Sequence, residues 1–479
     1  MIQSSTNRNL PWVVAACVVV TLVLAGALFY YLTSENLGET ILTTPTAAFL
    51  NYRYLVHARQ ARNGSFRPVK RDVLIRGGNA VDAAIATVIC EGGLRPHATG
   101  FGGGMVMLLH DRDINETTVI SAYSSAPRSV TEETFAINHA LAEIGYSSIA
   151  TPGFLHGIWT AFRRYGSGRV AWQDLLLPTV HLLERGTPAG DDLVDAIRSR
   201  YNEIMSERSM SVAFNITPLD EGELVRSPVH AAFLRRLAIA TDPAELFYRG
   251  DIANQIVHEM KQRGGLLSKI DLASYGSNVQ KSLEIKLLNG FILKGPQPPS
   301  SFTALAFLVE TLMRRYSSES NVSMDVSYMR VLLKAQYLGL TRLEQLGDLE
   351  YMLNDSIIQD LLTPRNETID LSDEGKSIGI RNLMWKLKDQ SSVGSHINVV
   401  DGRGNTVALS SSLNERFGSV RRSMKGGFVW NNEMSSFTMP DKEKSEDVHV
   451  NAIEGRKRPR TSMMPLMLFD YGGQVMLSL

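Results

Sequence analysis

The sequence predicts a domain of mixed helices and strands behind one N-terminal apolar segment. Residues 391–414 read as two short strands joined by the turn Asp401-Gly402-Arg403-Gly404-Asn405. Residues 80–89 carry apolar side chains at helical spacing, and 105–109 form a short apolar run typical of a strand. From Trp159 to Leu362 the chain reads mainly as helices with short connections. These patterns indicate an α+β class.

The N-terminal apolar segment runs from Leu10 to Leu32 without a charged residue. About 20 such residues span a bilayer, so we expect residues 10–32 to be an uncleaved transmembrane anchor. A cleaved signal peptide ending near Ala25-Gly26-Ala27 is the alternative, although its apolar region is usually about 7–15 residues long. By the positive-inside rule, residues 1–9 form a cytosolic tail and residues 33–69 an external juxtamembrane stretch.

Glycosylation sequons support the same orientation, because every one follows the apolar segment. We therefore expect a single-pass type II protein of the plasma membrane, with an extracellular ectodomain and the lipid bilayer as a partner of residues 10–32. The acceptor residues are Asn63, Asn115, Asn215, Asn321, Asn354 and Asn366.

Composition excludes some other functions. Basic and acidic residues balance at 49 each, which gives no electrostatic basis for binding nucleic acid. Of the two cysteines, Cys17 lies in the apolar segment and Cys90 in the predicted helix, so no disulfide can form within the ectodomain. No cluster of histidine, cysteine and carboxylate residues has metal-ligand spacing.

The helix at 80–89 follows Asn79, a suitable N-cap, and its apolar residues predict that one face packs inward. The glycine-rich sequence 100–104 then precedes the strand at 105–109. A nucleotide-binding glycine loop opens a helix instead, so we interpret this sequence as a tight turn with close backbone packing.

From residue 70 to the last residue, the chain carries several motifs in a particular order: Gly77–Ala86, Gly100–Gly104, Ala126–Arg128, Ala150–Gly153, Phe247–Gly250, Gly264-Gly265, Asp271–Tyr275, Pro296–Ser301 and Ser391–Val400. In these motifs and their order the chain resembles the γ-glutamyltranspeptidases (glutathione hydrolases), which are N-terminal-nucleophile hydrolases. The resemblance implies a four-layer αββα sandwich, with 70–393 similar to the large subunit and 394–479 to the small subunit.

The resemblance also implies a reaction. The family hydrolyses glutathione and transfers its γ-glutamyl group to water, amino acids or peptides, and it requires no cofactor. A Thr two residues before the histidine matching His396 is both the site of self-cleavage and the nucleophile. Gly394 stands at that position here. Adjacent residues of a strand face opposite sides of the sheet. Ser395 is therefore a substitute nucleophile only if a local bulge turns its side chain to the face on which residue 394 lies.

Several other positions match site residues of the family. Ser412 matches a Thr whose hydroxyl supports the nucleophile. Asn414 and Glu433 match residues that bind the substrate's α-amino and carboxylate end. Thr461 and Ser462 match a hydroxyl pair that grips the same end.

Other positions depart from the family pattern. Tyr123 replaces an Arg that clamps the α-carboxylate, and Ser436 replaces an Asp that pairs with the α-amine. The family's oxyanion-hole Gly-Gly pair would follow shortly after Val475–Leu479, so 394–479 is expected to be incomplete at its C-terminus.

Three hypotheses follow from these matches and departures. The chain is a membrane-anchored enzyme acting on γ-glutamyl compounds, a non-catalytic binding glycoprotein on the same scaffold, or an incomplete gene product. The basic sequence 455–460 is interpreted as a solvated surface loop or processing site.

Overall fold

A computed structural model describes residues 66–214, 220–288, 290–316, 326–351, 392–439 and 449–479. The predicted anchor at 10–32 lies outside this range, and so do all the sequons except Asn115. Within the range, none of the helices has the length and apolar character needed to cross a bilayer.

Two helices precede the first strand, and the other described helices lie between the second strand and the hairpin at 392–415. Those that are described are α1 (Phe66–Ile75), α2 (Ala80–Leu94), α3 (Glu133–Ala136), α4 (Phe154–Tyr165), α5 (Trp172–Arg185), α6 (Asp191–Ser199), α7 (Tyr201–Ser206), α8 (Arg208–Phe214), α9 (Pro228–Ile239), α10 (Pro243–Tyr248), α11 (Asp251–Arg263), α12 (Lys269–Ala273), α13 (Phe302–Tyr316) and α14 (Val326–Leu343). Short 3₁₀ turns cover His139–Ala142, Tyr146–Ser148, Leu349–Tyr351 and Glu433–Ser436.

The strands form two main antiparallel sheets and one small ribbon. The first sheet has the order β5-β2-β1-β9-β8, the second has the order β11-β10-β7-β6, and β3 pairs with β4. The strands are β1 (Gly104–Asp111), β2 (Glu116–Ala122), β3 (Thr187–Pro188), β4 (Leu224–Val225), β5 (Asn278–Lys281), β6 (Leu283–Lys286), β7 (Ile292–Gly295), β8 (Ser392–Val400), β9 (Thr406–Glu415), β10 (Met467–Phe469) and β11 (Val475–Ser478).

Successive side chains of a strand point to opposite faces of its sheet. Each main sheet can therefore pack one face against the other sheet and its second face against helices. In β1, Met107 packs against α2, α4 and α5, whereas Val106 and Leu108 pack against Met467 of the second sheet. The outer face of the second sheet, which includes Leu468, packs on α13 and α14. The described chain therefore stacks helices, sheet, sheet and helices, and the mixed α and β class is confirmed.

Helix α2 begins as predicted but packs differently. Asn79 accepts hydrogen bonds from the Val81 and Asp82 amides, and Asp82 accepts one from Asn79 in return. The expectation of one buried face is wrong, because every residue from Ala80 to Gly92 is buried. The helix lies among α1, α4, α5 and the first sheet, and its small alanines and glycines let these neighbours approach on all sides.

The glycine turn is confirmed as a place of close backbone contact. A Cβ atom at Gly102 would lie 2.1 Å from the Val429 carbonyl oxygen, and one at Gly103 would lie 2.1 Å from that of Ser412. The turn thus brings the start of β1 against the end of β9. By contrast, the sequence did not predict β5–β7, because these strands are only four residues long and partly polar.

Candidate functional site

The β8–β9 hairpin fixes which side chains face the candidate site. Gly394 pairs with Ser412, and the register shifts by one residue between Val393 and Gly394. Ile397 and Val399 pack with α2 on the helical side of the sheet. Asn398, on the opposite side, accepts a hydrogen bond at 2.7 Å from Ser478 in the second sheet. Gly394 therefore lies on the face that looks toward the second sheet.

Gly394 is exposed, but its backbone leaves no room for a larger residue. A Cβ atom there would lie 2.7 Å from the Ser411 carbonyl oxygen and 3.4 Å from Cβ of Ser412. Real Cβ atoms essentially never approach a carbonyl oxygen to 2.7 Å. The backbone packing at residue 394 therefore accommodates glycine and no larger residue.

Ser412 and Asn414 lie beside Gly394 and are joined by hydrogen bonds. The Ser412 hydroxyl donates to the Val393 carbonyl and accepts from the Asn414 amide at 2.8 Å. Asn414 has a left-handed φ of 78°, which asparagine tolerates better than most residues. Its side-chain amide donates to the Asn432 carbonyl at 3.2 Å and to Ser435 Oγ at 2.9 Å. This contact connects the hairpin to the segment 431–436.

Ser395 points away from this group of residues. Its hydroxyl donates to Glu91 Oε2 at 3.0 Å and accepts from Arg95 Nη1 at 3.3 Å. Only 7% of Ser395 is exposed, Glu91 belongs to α2, and Arg95 caps the C-terminal end of that helix. The structure thus places the Ser395 hydroxyl on the helical side of the first sheet.

His396 lies on the same face as Gly394 and is held on both sides. Its Nδ1 lies 2.8 Å from Ser410 Oγ, and its Nε2 lies 3.2 Å from Asn398 Oδ1. Burial lowers the pKa of His396 to about 4, so the ring is neutral at physiological pH. A neutral, doubly hydrogen-bonded ring fits the predicted structural role.

Glu433 is the most unusual titratable group of the site. Only 3% of Glu433 is exposed, and burial raises the pKa of its carboxyl to about 7, although a hydrogen bond from Ser436 opposes the rise. Asn431 positions it by accepting from the Glu433 amide at 3.0 Å and donating to the Gly102 carbonyl at 2.6 Å. Among the residues that the structure describes, no lysine or arginine forms an ion pair with this buried carboxyl.

Ser462 contacts β8, whereas Thr461 contacts the segment 299–301. The Thr461 amide donates to the Pro299 carbonyl at 3.0 Å, which fixes the segment beside Ser300. Ser462 Oγ lies 3.2 Å from Ser392 Oγ. Sequence reasoning missed Ser392. The spacing could have indicated Ser392 as a site residue, because it precedes Gly394 by two residues and residues two apart on a strand share a face.

Tyr123 does not join these residues. Only 3% of it is exposed, and its ring packs with Val106 and Met463 between the two sheets. Burial raises the pKa of its hydroxyl above the ordinary value. Its carbonyl accepts a hydrogen bond from the Tyr275 hydroxyl at 2.7 Å. Tyr123 fills part of the core and adds no charge to the site.

No group of three or more histidine, cysteine and acidic side chains among the residues that the structure describes could hold a metal ion.

Known proteins resemble the chain along most of its length. The sequence profile described as "Gamma-glutamyltranspeptidase" matches residues 68–479. Scoloptoxin SSD14 of Scolopendra dehaani is 30% identical over 85% of this chain and 72% of its own length. Glutathione hydrolase 2 of Arabidopsis thaliana is 28% identical over 91% and 79%. The structure of a cephalosporin acylase from Bacillus halodurans superposes with a TM-score of 0.70 at 21% identity, over 86% and 74% of the two chains.

Changing Glu433 to Gln should alter how stability depends on pH. Because the folded-state pKa is raised, the contribution of Glu433 is fully present below pH 4.5 and is lost as pH rises through about 7. The two values differ by about 2.5 (7 minus 4.5), which corresponds to roughly 3 kcal/mol. Urea unfolding from pH 4.5 to 8 should show a decline in the wild type that is smaller by roughly this amount in Glu433→Gln, where buried carboxyls such as Glu91 and Asp348, whose pKa values are also raised, remain.

Glu350→Gln is the control for this experiment. A hydrogen bond from Asn278 holds the pKa of Glu350 below its ordinary value, so its contribution has the opposite sign. The decline should persist in this variant. Parallel pH profiles for the wild type and Glu433→Gln would contradict the prediction.

Changing Gly394 to Thr should destabilise the protein by about 1–3 kcal/mol, because overpacking against a fixed carbonyl forces the strand to shift. Gly402→Thr is the matched control, since a Cβ atom at Gly402 meets nothing within 4 Å. That change should stay within about 0.5 kcal/mol of the wild type. Urea unfolding of both variants measures the difference, and equal stability would show that the strand relaxes freely.

Proposed function

Because the chain belongs to the gamma-glutamyltranspeptidase family, we propose that it binds γ-glutamyl compounds such as glutathione without transferring the γ-glutamyl group. The observation that carries this proposal is the lack of a side chain at Gly394, on the face of β8 that carries the site. Transfer needs an oxygen that forms an acyl intermediate and a nearby amine that accepts its proton.

Ser395 does not supply that oxygen in the arrangement described above. Its hydroxyl is buried on the opposite side of the sheet and is occupied by Glu91 and Arg95. Moving it to the site would break both contacts and leave the buried Glu91 carboxyl without its serine partner. The cost of an unsatisfied buried group, about 1–3 kcal/mol, favours the present orientation.

The remaining site residues support binding. A substrate α-amino group beside Glu433 would place a cation next to the buried carboxyl and would thereby stabilise its ionised form. Asn414, Thr461 and Ser462 add polar groups for the carboxylate end. Tyr123 and Ser436 lack the charges of the family's Arg and Asp. Each lost charged hydrogen bond would weaken binding roughly 10- to 100-fold, so we expect modest affinity.

A combined turnover and binding assay tests the proposal. Purified protein should release no 4-nitroaniline from γ-glutamyl-4-nitroanilide and should run as one chain without a break near residue 394. Titration calorimetry should detect glutathione binding, and Glu433→Gln should weaken it at least tenfold. The exposed Glu221→Gln serves as the control and should bind like the wild type.

Product release would overturn the proposal in favour of the enzymatic alternative. If Ser395→Ala then abolished the release, Ser395 would be the nucleophile. Absence of both release and binding would instead leave the scaffold without a γ-glutamyl ligand.

We also propose that residues 10–32 anchor the protein in the plasma membrane with the ectodomain outside. Asn115, the one described sequon, supports this topology because it is exposed in the turn between β1 and β2. Glycosidase treatment of protein expressed in secretory cells should increase its gel mobility. Without treatment, Asn115→Gln should migrate faster than the wild type by the mass of one glycan. Unchanged mobility after treatment would argue against this orientation.

A further inference from the structure

A polar cavity is lined by residues that do not include Glu433 or Ser412. Its volume is about 260 Å³, and it opens between the end of α12, the turn Leu349–Tyr351 and the loop that carries the basic sequence 455–460. Hydroxyl and charged side chains dominate its lining, which includes Ser125, Asp271, Tyr275, Glu350, Arg456 and Arg458.

The basic sequence is more ordered than the predicted solvated loop. Lys457 is only 5% exposed, and the Arg458 side chain is 13% exposed. The interpretation as a solvated loop is therefore wrong for these two residues. Burial requires each of them to have partners, and Arg458 Nη1 lies 3.3 Å from Glu350 and 3.9 Å from Asp348.

The backbone holds this loop in a fixed position. The Ala126 carbonyl accepts a hydrogen bond from the Arg456 amide at 2.9 Å, and the Ala126 amide donates one to the Lys457 carbonyl at 2.8 Å. The Tyr351 hydroxyl donates to the Gly455 carbonyl at 3.1 Å. Arg456 adopts a left-handed φ of 72°, a conformation that is uncommon for arginine and that concentrates at functional sites.

The charges of the lining balance. Arg456 and Arg458 oppose Asp271 and Glu350, and the hydrogen bond from Asn278 keeps the pKa of Glu350 low, so that this group is anionic. Arg456 is exposed, and among the described residues its guanidinium has no carboxylate partner. Arg458 is already paired with Glu350, which leaves Arg456 for a ligand, and a lining with two cations and two anions matches a ligand that carries both charges.

We propose that this cavity binds a small zwitterion, such as a free amino acid or a dipeptide with free termini. Arg456 receives the carboxylate, Glu350 receives the ammonium group, and Ser125 and Ser274 offer hydroxyls between them. The volume lies just below the usual range for ligand pockets, about 300–1,000 Å³, which limits the ligand to this size. The inference does not depend on γ-glutamyl binding, because the lining of the cavity includes none of Glu433, Ser412 and Asn414.

Three matched probes test the charge requirement by titration calorimetry on the full chain at pH 7. Alanylalanine is a zwitterion, N-acetylalanine an anion and alanine amide a cation. We expect alanylalanine to bind, and each singly charged probe to bind at least tenfold more weakly. Equal affinity for the three probes, or binding of none, would overturn the proposal.

Two variants locate the binding. Arg456→Ala and Glu350→Gln should each weaken alanylalanine at least tenfold, whereas Arg403→Ala, at an exposed arginine in the β8–β9 turn, should not. Arg456 lacks a described ion pair, so its removal should leave the melting temperature unchanged and exclude misfolding as the cause. If Glu433→Gln rather than Arg456→Ala removed the binding, the zwitterion would occupy the other site and the proposal would be wrong.

Discussion

The register between β8 and β9 is the constraint on which the candidate site depends. Pairing of Gly394 with Ser412 places both on the face toward the second sheet, and the alternation of a strand then directs Ser395 toward α2. A slip of one residue would exchange these faces and bury Gly394 against the helices. The glycine turn 102–104 reinforces the register, since its backbone touches the end of β9.

The polar residues of the site form one connected framework. Asn414 links the hairpin to Asn432 and Ser435, and Asn431 ties the next residues to Gly102 and Ala150. These bonds satisfy buried polar groups that would otherwise be costly, which explains why the polar residues around Gly394 hold fixed positions. Glu433 differs from the others, because its buried carboxyl has a hydrogen bond from Ser436 but no ion pair with a cation of the described residues.

Much of the fold was predictable because local patterns agreed with it. The hairpin, the Asn79 cap, the strand beginning near Met105 and the glycine turn all follow from spacing and turn chemistry. The strands β5–β7 were not predictable, since four partly polar residues carry little periodic signal. Burial of α2 on every side was also not predictable, because the periodicity of apolar residues does not show how many elements pack around a helix.

The sequence by itself determined which chemical groups this protein possesses: no side chain at 394, a carboxyl at 433, and guanidinium groups at 456 and 458. Only the tertiary structure decided what those groups face. It removed water from Glu433, turned the Ser395 hydroxyl toward Glu91, and directed Tyr123 into the core instead of the site. The reason is that burial and electrostatic environment arise from residues far apart in the chain, which a local pattern does not encode.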